Sequence, residues 1–330
     1  MTKQLVALDH LNLVVDKALM NLSIDRQERD IIRQVLMYAE MRGSSQGLIK
    51  IRERTILPDK NCTDLQLENK TPAIARINGG GHTGMFVLHQ ATLAAARCVK
   101  ATGIAIVSTH NTRSSTGAIG FYANELAQSG YVAMVLTSSP KVMAIEGGIE
   151  PVVGTNPIAL AIPTNSEPLV LDMATAATTW FSVINAKDQS LCLAADTALD
   201  SIGQPTTDPN EAMKGALKAF GGAKGSGLGL MFEFLTSVLG NASLFGDAED
   251  NRGNTIIAID PETIESGFSN RASELIRRLK ASCQNQNNGH KESSIRLPGE
   301  QSSARAARCL AANEISIDKG LYQHLTKLAQ

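Results

Sequence analysis

The chain predicts a mixed α/β fold: a central domain of alternating strands and helices, with helices from both chain ends packed together beside it. Three observations carry this expectation. Residues 5–41 and the tail from Ser302 onward repeat apolar side chains at helical spacing. Between them, apolar runs of strand length alternate with longer helical segments. The 330 residues suffice to bury a large core and favour more than one domain.

Residues 5–41 read as two helices. Ser23 is placed to cap the second, and Ile31, Ile32, Val35, Leu36 and Ala39 then recur on one face. "RGSSQG" (42–47) stops that helix in a polar loop. "AIARIN" (73–78) reads as a strand, and "GMFVLHQATLAAARCVKATG" (84–103) as a long helix ending at a glycine. "GIAIVS" (103–108) is a buried strand, followed by a polar loop, "THNTRSSTGAIG" (109–120), and a helix from "FYANELAQSG". "GYVAMVLTSS" (130–139), "NPIALAIP" (156–163) and "EPLVLDMAT" (167–175) are strand runs, the last two spaced as sheet neighbours. "DSIGQPTTDP" (200–209) is a turn-rich connector, and "KGSGLGLMFEFLTSVLG" (224–240) an apolar helix that starts among glycines. "NTIIAID" (254–260) is a strand, "SCQNQNNGHKESS" (282–294) a polar surface loop, and the tail is helical.

Composition narrows the function. Hydrophobic residues make up 43% and the net charge is -1, so neither a membrane core nor a polyanion partner such as a nucleic acid is indicated. No apolar run reaches the ~18–20 residues that span a bilayer. The amphipathic N-terminal segment reads as a helix rather than a signal peptide. The five cysteines (62, 98, 192, 283, 309) form no C-x-x-C, so no disulfide framework and no metal site is suggested. A reducing cytoplasm is the expected location.

"GGGHTG" (79–84) satisfies the G-x-G-x-x-G dinucleotide pattern between a strand and a helix. That pattern also needs an acid about 20 residues on, at the end of the next strand, for the ribose hydroxyls. Here that strand ends in "VSTHN", with no Asp or Glu, and His82 crowds the place of a pyrophosphate. The glycines are better read as a turn that lets a helix pack closely.

Six segments in order resemble a known family. They are "YAEMRGSSQG" (38–47), "GGIEPVVGTNPIALAIP" (147–163), "LVLDMATA" (169–176), "GQPTTDP" (203–209), "GGAKGSGLGLMFEFL" (221–235) and "RLPGE" (296–300). Together they resemble the malate/L-lactate dehydrogenase family, NAD(P)-dependent 2-oxo- and 2-imino-acid reductases unrelated to the Rossmann dehydrogenases. The resemblance implies a non-Rossmann, largely antiparallel nucleotide-binding domain, placed at 119–272. It implies a helical, substrate-side domain from 1–118 together with 273–330, and a homodimer. It also implies hydride transfer between NAD or NADP, NADPH slightly favoured, and C2 of a small anionic 2-keto, 2-hydroxy or cyclic 2-imino acid. The cofactor side would comprise Gly154, Thr155, Asn156 and Pro157, Asp172, Met173, Ala174 and Thr175, Lys224 and Gly225.

The family's first loop reads R-G-x-x-S-H-G-x-x-R. In this chain Ser45 matches the serine, Gln46 replaces the histidine and Lys50 the later arginine. The second loop lacks its usual histidine, with Ser115 in its place. The reaction needs a cation for the substrate carboxylate, a proton donor and a positioned nicotinamide. Arg42, Lys50 and Arg113 are the cations on offer, although Arg42 also fits as a helix-end dipole partner and Arg113 as an ordinary loop arginine. For the proton, Ser45, Ser115, Gln46, Lys50 and His110 are the catalytic candidates, with His82 a further histidine in a loop. A histidine at a strand end is more often structural, and His89 reads as core. An imine nitrogen arrives protonated and needs no strong acid, which tilts the reading towards imino acids. Asp172 ends an apolar strand, at the cofactor or as a cap for the next helix, and Ser138 and Ser139 are further donors to the cofactor. Met173, Met231 and Trp180 read as packing. The alternative is a degenerate member that binds nucleotide without hydride transfer.

Overall fold

The computed structural model describes residues 3–246, 251–282 and 295–330. The chain begins with β1 (Lys3–Ala7), α1 (Leu8–Asn21), α2 (Arg26–Arg42) and a single turn, α3 (Ile49–Arg52). Next come β2 (Gln66–Thr71), β3 (Ile74–Asn78), α4 (Gly84–Thr102), β4 (Ile104–Thr112) and α5 (Gly120–Gln128). β5 (Val132–Thr137), β6 (Ile158–Ile162), β7 (Leu169–Met173) and α6 (Trp180–Asp188) follow. Then come β8 (Ala198–Leu199), β9 (Pro205–Thr206), α7 (Pro209–Ala212), β10 (Ala216–Leu217) and α8 (Ala223–Glu233), which runs on through a π-helical stretch, Phe234–Val238. β11 (Arg252–Ile259), α9 (Phe268–Ala281), α10 (Glu300–Ala312), β12 (Glu314–Asp318) and α11 (Lys319–Leu328) complete the order.

The central sheet has the order β2-β3-β4-β11-β5-β6-β7. Only β3 and β4, joined by the α4 crossover, pair in parallel; the other pairings are antiparallel. One sheet therefore runs through both expected domains, with β2–β4 drawn from before residue 118 and the rest from after it. Its core is a single apolar cluster. Leu11 and Val15 of α1, Ile32 and Leu36 of α2, Met85 and Leu88 of α4, and Val107 and Ile256 of the sheet are all fully buried within it. A smaller cluster around Met143, Val153, Val183 and Leu217 supports the three short strands, ordered β10-β8-β9.

The two chain ends meet. β1 and β12 pair antiparallel from Lys3↔Asp318 to Ala7↔Glu314, and α10 and α11 pack on α2 and α1. The tail is thus not continuous helix. Ile315 and Ile317, two apart and both buried, form the inner face of a strand whose partner lies at the other end of the sequence. Three other local expectations shift. Asp25, not Ser23, caps α2, accepting from the Gln27 N–H at 2.8 Å. β4 extends four residues into the expected 109–120 loop. The turn-rich 200–209 connector contributes β9. The polar run 283–294 lies outside the described residues.

The glycine-rich turn at 79–84 serves packing. The Gly80 and Gly81 carbonyls accept from the N–H groups of Thr63 and Asp59 at 2.9 and 2.8 Å. A Cβ at Gly80, where φ is +59°, would lie 2.2 Å from the Thr63 carbonyl oxygen.

Candidate active site

A cavity of about 770 Å3 opens where the first loop, the second loop, the ends of β5 and β7, the start of α6 and the start of α10 converge. That volume lies in the range that holds a small ligand together with part of a cofactor.

The first loop is built by its glycines. Gly43, at φ +72°, closes α2 in the left-handed conformation that an L side chain adopts only with strain. Gly47 packs on half-buried Glu40, whose carboxylate accepts from the Leu48 N–H at 2.9 Å; a Cβ at Gly47 would clash with Glu40 Oε2. The chain then turns into α3 and docks on α6. Ser45 Oγ and Thr179 Oγ1 hydrogen-bond at 2.9 Å, and Thr179 Oγ1 and Ser182 Oγ at 2.8 Å. The Lys50 ammonium sits 3.6 Å from the centroid of the Phe181 ring. Arg52 pairs with both Glu53 and Asp188.

Lys50 is the outstanding charge of the site. Its side chain is 1% exposed yet lines the cavity. It has no ion-pair partner among the described residues. Burial, reinforced by Arg252, pushes its amine well below the ordinary lysine value. Arg42 lies with Cζ 3.6 Å from the centroid of the Tyr38 ring and also lines the cavity. Arg113 reaches the same wall and pairs with Asp59.

The second loop leaves β4 at Thr112. Ser114 takes a left-handed φ of +64°, and the Ser115 N–H donates to the Thr55 carbonyl at 2.9 Å, joining the two substrate-side loops. Ser115 Oγ then accepts from the Gly117 N–H at 3.1 Å, so this hydroxyl shapes the turn while lining the cavity.

Asp172 does act at a helix start, but at a different helix from the expected one. Its Oδ2 accepts from the Gly120 N–H at 2.8 Å, at the start of α5, whereas Thr179 caps α6. Its side chain is exposed and lines the cavity. The crowding of protein around it pushes the carboxyl up to about 6, partly offset by the Gly120 hydrogen bond.

Of the residues singled out in the sequence, the cavity gathers Arg42, Ser45, Gln46, Lys50, Arg113 and Ser115 from the substrate side. From the cofactor side it gathers Ser138, Ser139, Thr155, Pro157, Asp172, Met173 and Ala174. Eight others lie outside its lining. His110 sits within β4, opposite Asn78 of β3, with a buried Nδ1 that has no hydrogen-bond partner among the described residues. Asn156 is fully buried and holds a turn: its side chain donates to the Gly229 carbonyl at 3.0 Å and to Glu233 at 2.8 Å, and accepts from the Ser139 N–H at 3.1 Å. Thr175 is buried and donates to the Thr155 carbonyl at 2.9 Å. Gly154 and Gly225 allow close backbone approach, since a Cβ on either would lie 2.3 Å from a carbonyl oxygen. Lys224 is exposed on the first turn of α8. His82 is held against Glu28, and His89 faces Glu125 at 3.7 Å.

The cavity also takes in residues that sequence reasoning passed over: Tyr38, Thr179, Phe181, Arg252, Ser302 and Ser303. A signal existed for the aromatic ones. Aromatic residues make up only 4% of the chain, and Trp180 and Phe181 stand together just after the "DMAT" segment. Ser302 and Ser303 arrive through the "RLPGE" turn. Gly299, at φ +75°, lies so close to β7 that a Cβ would come within 2.4 Å of the Val170 carbonyl oxygen.

These walls suit a nicotinamide nucleotide in chemical kind. The hydroxyls of Ser139 and Thr155 match ribose and phosphate oxygens, and Met173 and Trp180 offer apolar surface to a flat ring.

Comparison with known proteins agrees with this reading. L-sulfolactate dehydrogenase of Methanothermobacter thermautotrophicus is 28% identical over 96% of this chain and 94% of its own. Ureidoglycolate dehydrogenase (NAD(+)) of Escherichia coli is 28% identical over 84% of this chain and 83% of its own. The crystal structure of delta1-piperideine-2-carboxylate reductase from Pseudomonas syringae superposes with a TM-score of 0.87 at 25% identity, covering 98% of this chain and 99% of the other. The family model described as malate/L-lactate dehydrogenase matches residues 6–326, nearly the whole chain, and this protein therefore belongs to the malate/L-lactate dehydrogenase family.

Proposed function

We propose that this protein is an NAD(P)H-dependent reductase that adds hydride to C2 of a small 2-keto or cyclic 2-imino acid, and oxidises the 2-hydroxy acid in reverse. The observation that carries this reading is the single cavity in which hydroxyl-rich, cofactor-side walls meet a cation-rich, substrate-side wall. The similar proteins, which are named for sulfolactate, ureidoglycolate and piperideine carboxylate, support small anionic acids as the substrate class.

The nicotinamide, when bound, supplies the hydride. The protein's own groups do the rest. Ser139 and Thr155 would hold the nucleotide, with Met173 and Ala174 beneath the ring. Arg42 and Arg113 would hold the substrate carboxylate, Arg42 steadied by Tyr38 and Arg113 by Asp59. Asn156 and Thr175 act through the wall they brace. The α3–α6 dock keeps Lys50 and Ser45 fixed at the cavity floor, which is what a reaction sensitive to misplacement requires.

We further propose that the active species is a homodimer in a reducing cytoplasm. The four described cysteines are unpaired. The helix from Ala223 to Leu239 is inverted in character: Ser226, Glu233, Thr236 and Ser237 are buried, while Leu228, Met231, Phe234, Leu235, Val238 and Leu239 are exposed. An apolar stripe at that spacing, turned outward, is the surface a second copy would cover.

The test is oxidation of NADH and NADPH by the purified protein against a panel of acids. The panel holds pyruvate, oxaloacetate and other 2-keto acids, with and without methylamine, and the cyclic imines of proline and pipecolate. Turnover of at least one acid is expected. Nucleotide binding with no turnover across the panel would instead point to the degenerate alternative.

A further inference from the structure

We propose that Lys50 is the proton donor for reduction of plain 2-keto acids. The proposal rests on the reductase reading above and assigns one step within it.

His110 is in a sheet strand outside the cavity lining, His82 is tied to Glu28, and His89 lies under α5 beside Glu125. The hydroxyls of Ser45 and Ser115 are held by Thr179 and the Gly117 N–H, and an isolated hydroxyl is a poor acid. Asp172 reaches the cavity, but its Oδ2 accepts from the Gly120 N–H at the start of α5 and its charge opposes an anionic substrate. Lys50 remains. It is fully buried, lines the cavity and faces an aromatic ring rather than a carboxylate. An ammonium in that setting is costly, and a fold that needed only packing would place an apolar side chain there. Three contacts fix it: Ser45 to Thr179, Lys50 to Phe181, and Arg52 to Asp188.

The electrostatics point the same way. The titratable and charged groups sharing the cavity or the packing around Lys50 are Arg252, Arg42, Arg54, Arg113, Asp172 and Tyr38, with the Arg52–Glu53–Asp188 cluster beside its turn. α11, packed on α3, adds His324 and Lys327. Burial, then Arg252, lowers the amine. A lowered amine is a better acid than an ordinary lysine, and an anionic substrate beside it draws a proton onto it. The step balances. Hydride from the reduced cofactor bonds to C2, and the C=O π pair moves onto oxygen. That oxygen takes a proton from the Lys50 ammonium, leaving the neutral amine and the oxidised cofactor. Water entering the cavity reprotonates the amine.

Two substitutions separate this role from carboxylate binding. Arginine at this position keeps the cation but does not release its proton, whereas methionine keeps the stem and loses both. Wild type, Lys50→Met and Lys50→Arg are compared on a 2-keto acid and on a cyclic imine, with NAD(P)H binding followed by fluorescence titration. Both variants should bind the cofactor as wild type does. Both should lose about 100-fold or more in kcat on the keto acid, the usual worth of a general acid. Imine reduction should stay within about tenfold for Lys50→Arg, because the substrate brings its own proton. Wild-type keto-acid turnover should fall at high pH along a limb set by Lys50, whereas imine turnover should fall only with deprotonation of the substrate iminium, at the same pH in wild type and Lys50→Arg.

Keto-acid activity retained by Lys50→Arg would make Lys50 a carboxylate ligand and overturn the assignment. So would equal losses on both substrates through KM, or a wild type that reduces only imines. A wild type that oxidises neither cofactor with any acid would remove the reductase reading itself.

Discussion

Lys50 and Asp172 are both ionisable groups whose charge the fold disfavours, and that leaves a signature in stability as well as activity. For Lys50 the folded value lies below the unfolded value of 10.5, so the folded protein binds fewer protons between the two. The cost is full at low pH and fades as pH rises towards 10.5. Lys50→Met should therefore stabilise the protein by about 0.5–2 kcal/mol near neutral pH while removing keto-acid turnover. Thermal melts across pH check this, and a variant less stable than wild type would contradict it. Asp172 has the opposite sign of shift. Its carboxyl is raised from 3.8 to about 6, so the folded state pays for its charge above that range and pays nothing below 3.8. Asp172→Asn keeps an oxygen for the Gly120 N–H and removes the charge. It should melt higher than wild type above about pH 6 and no higher below 3.8; a gain independent of pH would mean another cause. At this scale the sequence was partly legible. The replacement of an arginine by Lys50 and of two histidines by Gln46 and Ser115 was visible at once. That Lys50 would meet Phe181, or Asp172 the start of α5, depends on contacts 131 and 52 residues apart, which no local pattern encodes.

The elements show where local pattern suffices. α4 could be read through to its closing glycine, because periodicity and terminus agree there: Gly103 ends it at φ +79°, and the structure adds Thr83 as its cap. β2 was missed because all six of its residues are exposed and no apolar alternation marks it. β12 was taken for helix because five residues between two helices carry too short a pattern to separate the periods. The outward apolar face of the α8 helix was also hidden. The run "LGLMFEFLTSVLG" is apolar enough for either orientation, and only the buried Glu233 decides it. That carboxylate accepts from Asn156, from Ser237 at 2.7 Å and from the Phe245 N–H at 2.9 Å. If the stripe is a dimer face, Phe234→Glu should yield monomers by light scattering with the circular dichroism spectrum unchanged. A variant that stays dimeric would place the interface elsewhere. The α3–α6 dock makes a separate prediction. Asp188→Ala releases Arg52 from a half-exposed pair, so global stability should change by less than about 1 kcal/mol. KM for the acid should nevertheless rise several-fold as the first loop loosens, and an unchanged KM would show that the dock does not position the site.

Across the whole molecule, the layer order of helices, mixed sheet and helices was legible, and so was the meeting of the two chain ends. Strand order was not, because β11 inserts between β4 and β5 from more than 110 residues away. That insertion brings Arg252 to the cavity, while the closing of the chain ends brings Ser302 and Ser303 to its rim. The central claim is that this cavity moves hydride to C2 of a small acid. Its most direct test uses NADPH and NADH carrying deuterium at C4 of the nicotinamide, incubated with the protein and the acid panel, with products read by mass spectrometry and NMR. One deuterium is expected at C2 of the product 2-hydroxy or 2-amino acid, transferred from one face of the ring. Bound cofactor that is never oxidised, or a reduced product whose C2 hydrogen comes from water, would contradict it.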